Sequence, residues 1–248
     1  MAATAAPTVR AQTILDLADA AQGEPPIARA LRVAAAAGAD AALLRDAPLG
    51  RLHAATLDFH AALVGRQLEA VATCPACASL IEFALDGDAL RELDLGRQAA
   101  AGELALMTDA GEWRVRWRAP TAGDVAVVAG RPDAASALLA LCCDVTGPHA
   151  EGAGDAPAEL RERIETELAD ADPLAELTVG LACPECGAVF DADVDPIAFV
   201  WREVEVRAWR LLREVDVLAR AYGWTEAEVL ALSDQRRTAY LEIVREGA

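Results

Sequence analysis

The 248-residue sequence contains no lysine and no asparagine, and all 22 of its cationic residues are arginine. Lysine and asparagine have A-rich codons, so their absence reports a GC-rich gene. Arginine then carries little evidence of bidentate phosphate or carboxylate recognition. Positive charge is scarce altogether, and 40 acids leave a formal net charge of −18. Nucleic-acid and anionic-membrane surfaces need clustered positive charge, so this balance argues against both. No stretch approaches the roughly 18–20 apolar residues of a membrane-spanning helix. The first ten residues lack a basic region followed by an apolar run, so no signal peptide is expected. A cytoplasmic protein is the resulting expectation. A nucleophile elbow, a P-loop and a GxGxxG fingerprint are also absent.

Alanine is abundant, at 59 residues. The 54% apolar fraction therefore overstates the core-forming content, because alanine buries little area. The charge is uneven: residues 151–195 carry a net of −11, residues 201–248 a net of −1. Six cysteines in a cytoplasmic chain point to metal or free thiols before structural disulfides.

The pattern along the chain predicts an α+β fold. Residues 1–48 read as an Ala-rich helical or partly disordered segment. A helix follows over 52–64. Strands over 66–73 and 79–85 flank Cys74 and Cys77, with Ile81, Phe83 and Leu85 alternating against Leu80, Glu82 and Ala84. A second hairpin spans 103–108 and 113–118, placing Trp113, Val115 and Trp117 on one face and Arg114, Arg116 and Arg118 on the other. Thr121 with Asp124 predicts a capped helix start, and residues 133–143 a short apolar helix carrying Cys142 and Cys143. Residues 148–157, including His149, read as a linker. A helix over 159–171 and strands over 177–182 and 187–192 come next, the strands flanking Cys183 and Cys186. The strongest helical periodicity runs from Ile197 to Tyr222, with Gly223 as its cap. Thr225 and Glu228 form a capping box, and Ser233 caps a last helix.

The chemistry concentrates in Cys74-Pro75-Ala76-Cys77 and Cys183-Pro184-Glu185-Cys186-Gly187. A CxxC in a tight hairpin aims two sulfurs at one volume, and two such hairpins supply the four thiolates of a structural zinc site. Glycine after the second cysteine takes the positive φ of such a knuckle. Ala78 stands there in the first one, which predicts a strained turn. The 105 intervening residues (78–182) far exceed the about 15–20 of compact zinc modules. The expectation is one zinc ribbon whose hairpins are split by an inserted α/β region, with the metal tying the halves together. Redox-active pairs or separate disulfides are the alternatives. Cys142 and Cys143 read as buried apolar filler, and His53 and His60 as non-ligating. The expected organisation is the segment 1–48, a zinc-stapled core over 49–195 and a helical region over 196–248. Two surfaces are candidates for partner contact: the C-terminal helices and the 113–118 strand.

Several stretches carry a family likeness. They are residues 63–85 with the CPAC knuckle, Val115-Arg116-Trp117-Arg118-Ala119-Pro120-Thr121-Ala122-Gly123-Asp124, residues 137–143, the CPECG knuckle, and the run 199–244 with Trp201-Arg202-Glu203-Val204 and Ala221-Tyr222-Gly223-Trp224-Thr225-Glu226. Over roughly residues 49–246 the chain resembles the baseplate hub assembly chaperones of T-even-like contractile phages, whose relatives occur in phage-tail-like contractile injection systems. Departures are Ala78 for glycine and Ala119 where members often carry leucine. The resemblance implies a zinc site on Cys74, Cys77, Cys183 and Cys186, baseplate hub or spike proteins as partners, and an assembly role without catalysis. A zinc-ribbon regulator that binds nucleic acid is the alternative, with Arg236-Arg237 as its basic pair.

Overall fold

The structure, a computed structural model, describes residues 9–93, 100–148, 150 and 155–247. Half of the expected linker at 148–157, residues 149 and 151–154, lies outside the described residues, His149 among them. The fold is α+β, with small antiparallel sheets set among helices.

Four helices open the chain: α1 (Ala11–Ala20), α2 (Pro26–Ala36), α3 (Ala41–Asp46) and α4 (Leu49–Leu63). Pro26 sits where a missing N–H costs nothing. The Asp40 carboxylate accepts from the Ala42 and Leu43 N–H groups at the start of α3. Helices α1, α2 and α4 pack against the long α9 (Pro196–Tyr222). Ile14, Leu15 and Leu17 of α1 meet Phe59 of α4 and Val200, Trp201, Val204 and Leu211 of α9 in one buried cluster. Ile27, Ala30 and Ala34 of α2 share a second cluster with Leu52 and Ile197. Each fully buried Leu- or Phe-sized side chain contributes about 1.5–3 kcal/mol of transfer free energy. Residues on both sides of the expected 48/49 and 195/196 boundaries thus lie in common clusters.

Helix α4 leads through Gly65 into the hairpin β1 (Gln67–Thr73) and β2 (Leu80–Asp86), which runs into α5 (Gly87–Glu92). The insertion then builds its own sheet, in the order β3–β4–β5, from β3 (Ala101–Thr108), β4 (Gly111–Arg118) and β5 (Cys143–Thr146). Helices α6 (Ala122–Val128) and α7 (Ala134–Cys142) connect β4 to β5, and α8 (Ala158–Ala171) follows. The alternation in β4 is realised as expected. Trp113, Val115 and Trp117 are buried with Leu160 and Ile164 of α8. On the other face Arg114 pairs with Glu112, Arg116 with Asp144, and Arg118 with Asp124. Both faces of this strand are therefore engaged within the chain. One expectation is corrected: only Cys142 ends the helix, while Cys143 begins β5, opposite Trp117.

A second hairpin, β6 (Leu177–Ala182) and β7 (Val189–Val194), runs directly into α9. Gly223, at φ 71°, closes α9. The Thr225–Glu228 capping box opens α10 (Glu226–Leu230), and Ser233 caps α11 (Asp234–Glu246). Arg237 is buried, bonded to Glu214 at 3.0 Å and to Asp234 at 2.6 Å. It belongs to the packing of α11 on α9 and is not open to a nucleic-acid phosphate. No described helix is long and apolar enough to cross a membrane.

Candidate metal centre

The two cysteine knuckles have the same backbone design. In the first, the Ala78 N–H donates to the Cys74 carbonyl and the Cys74 N–H to the Ser79 carbonyl, both at 2.9 Å. In the second, the Gly187 N–H donates to the Cys183 carbonyl at 2.9 Å and the Cys183 N–H to the Ala188 carbonyl at 2.8 Å. Closing the turn this way requires a left-handed residue after the second cysteine. Gly187 meets that need at φ 75° and Ala78 at φ 61°. Ala78 is the sole non-glycine with positive φ among the described residues, and an L residue there costs about 1–2 kcal/mol. The strain expected from the sequence is present.

Helices α4 and α9 hold the two knuckles together. The C-terminal end of α4 feeds β1, and its first turn grips the segment preceding β6. The Gly50 N–H donates to the buried Asp172 carboxylate at 2.9 Å, and His53 Nδ1–H donates to the Leu174 carbonyl at 2.6 Å. A Cβ at residue 50 would lie 1.9 Å from an Asp172 oxygen, so only glycine permits this approach. Sequence reasoning missed this brace, since nothing local links Gly50 to a residue 122 positions on.

The result is convergence of Cys74, Cys77, Cys183 and Cys186, whose sulfurs all lie within 4.8 Å of one another. Cys74 Sγ is 3.7 Å from Cys186 Sγ, and Cys77 Sγ is 3.6 Å from Cys183 Sγ. A disulfide would need about 2.05 Å. Tetrahedral coordination at a metal–sulfur distance of about 2.3 Å places neighbouring sulfurs about 3.8 Å apart. The closest pairs already match that edge, and each joins one hairpin to the other. Among the described residues this is the one such group of potential metal ligands. Tetrahedral four-sulfur sites suit zinc or iron.

Burial is graded across the site. Cys74 and Cys183 are 1% and 3% exposed and pack with Ile81, Ala188 and Phe190, while Cys77 and Cys186 face solvent. The Ser79 side chain and backbone, then Cys186, hold the Cys77 thiol down at about 6. Cys186 is pushed up, against the Ala188 N–H, by the protons it shares with Cys77 and Cys183. Of the two solvent-facing sulfurs, Cys77 therefore offers a thiolate, the form that binds metal, before Cys186.

The remaining cysteines and histidines stand apart. Burial pushes the Cys142 and Cys143 thiols up to about 11, so both are protonated and inert at neutral pH. His53 and His60 are buried, with His60 against the Phe199 ring at 5.3 Å and its pKa lowered by desolvation. Neither belongs to the sulfur cluster. No protein-family profile matches the chain, and neither a curated protein nor a solved structure shows significant similarity to it.

Proposed function

We propose that this chain is a non-enzymatic assembly factor or component of a contractile-tail baseplate hub, stapled by structural zinc on Cys74, Cys77, Cys183 and Cys186. The observation that carries the structural role is the closed set of four sulfurs joining hairpins 105 residues apart. Four thiolates fill a tetrahedral ion completely, leaving no position for an activated water or a substrate. Bound there, a divalent ion would offset two of the four thiolate charges and tie the hairpins together. The baseplate assignment is supported by the sequence resemblance over residues 49–246, including the knuckles and the 199–244 run. The net charge of −18 and the enclosed Arg237 weigh against the nucleic-acid-binding alternative.

Metal analysis of the purified protein tests the first half. One zinc per chain, lost in Cys183→Ser, is expected, whereas iron or two isolated disulfides would refute it. Capture of hub or spike proteins from the genes flanking its own tests the second. Salt-dependent DNA or RNA binding at micromolar or tighter affinity, without capture of either protein, would overturn it.

A further inference from the structure

The hairpins β1–β2 and β6–β7 and the first turns of α9 enclose a cleft of about 1200 Å³. Its lining includes Val71, Phe83, Phe190, Phe199 and Val206. Val206 is 56% exposed and Phe83, Phe190 and Phe199 are half-buried, so this apolar surface is open. The charged residues around it are Glu69, Glu82, Asp191, Asp193, Asp195 and Glu203, against Arg202 alone. Elsewhere ten arginines sit in ion pairs that neutralise acids locally. Among the described residues, Glu69, Glu82, Asp191, Asp193 and Glu203 pair with none of them.

The backbone supplies a further feature. Among the described residues strand β1 pairs only with β2, and β7 only with β6, so each has an unpaired edge of N–H and C=O groups. The consecutive residues 69–73 and 190–195 line the cleft. Side chains of a strand alternate between faces, so a consecutive lining places strand edges along it. An edge offers main-chain hydrogen bonds to an added strand, and an apolar floor with an acidic rim selects its side chains.

We propose that this cleft docks an extended segment of a partner protein in which basic residues alternate with apolar ones. The apolar side chains cover Phe83, Phe190 and Phe199 with Val206, and the basic ones meet the unpaired carboxylates. The proposal stands apart from the baseplate reading, since it rests on the cleft alone.

The test is fluorescence anisotropy with the zinc-loaded full chain and two labelled twelve-residue peptides, one alternating arginine and valine, the other glutamate and valine. The arginine peptide is expected to bind and to weaken with salt, and the glutamate peptide not to bind. Glu82→Arg with Asp193→Arg should raise the Kd of the arginine peptide at least tenfold, at unchanged zinc content and circular dichroism. Glu162→Arg with Glu165→Arg, an equal change of net charge on the exposed face of α8, should leave it within about twofold. Equal loss in the two variants would show general charge attraction and overturn the proposal, as would no loss in the cleft variant or no binding at all.

Discussion

The sheet β3–β4–β5 and the hairpin pair β1–β2 and β6–β7 are made from similar strands but stabilised in opposite ways. The three-stranded sheet buries Trp113, Val115 and Trp117 under Leu160 and Ile164, enough apolar area to hold its register. The hairpins have two strands each, and a lone two-stranded hairpin is marginal in water. Their shared apolar support is a small group around Cys74, Ile81 and Cys183. One region is held by side-chain burial. The other converges on four sulfurs placed to hold an ion.

Removing the metal should separate the two regions most strongly. Structural zinc supplies of order 10 kcal/mol of apparent binding free energy. Chelation, or Cys183→Ser, should expose both hairpins together, including the one left unmutated. Hydrogen exchange is the readout: β1, β2, β6 and β7 should lose protection while β3 and β4 keep it. Protection retained in β1–β2 would mean that the knuckles do not share an ion. The reverse cut is Trp117→Ala, expected to cost about 3–5 kcal/mol in denaturant unfolding while one metal per folded chain remains.

A smaller effect separates the regions by pH. Arg118, together with the Thr121 backbone and hydroxyl, lowers the Asp124 pKa from 3.8 to about 2. A carboxylate depressed in the folded state stabilises above its unfolded pKa and loses that contribution as pH falls through the folded value. Asp124→Asn should therefore lower stability at pH 7 by about 1–2 kcal/mol. The gap between variant and parent should close between pH 4 and pH 2 in thermal melts. The smallest change compares the knuckles directly. Gly187→Ala should destabilise by about 1 kcal/mol, and Ala78→Gly should stabilise by less than about 1 kcal/mol, since glycine also loosens the unfolded chain. Opposite shifts in the midpoint of metal release under chelator titration would check the pair.

What could be read from the sequence follows the range of each signal. Two-residue alternation placed β4, capping boxes placed α6 and α10, and paired CxxC spacing brought four cysteines to one site. Each signal lies within a few residues of the position it predicts. Strand β5 escaped because its four residues directly follow an apolar helix and gain their identity only by pairing with β4. The packing of α1 and α2 was hidden by their alanine content, since Ala30 and Ala34 are fully buried without marking a wide apolar stripe. The Gly50–Asp172 brace and the cleft arise from residues far apart in sequence, and no local pattern encodes either.

The separation of the two knuckles also sets a clock. Chains emerge from the ribosome at about 5–20 residues per second, so the 105 residues after Cys77 take roughly 5–20 s to follow it. Through that interval the nascent protein can offer an ion only two of its four thiolates. A complete four-sulfur centre is thus a certificate of length, issued only to chains synthesised through Cys186 and folded with everything between the knuckles in place.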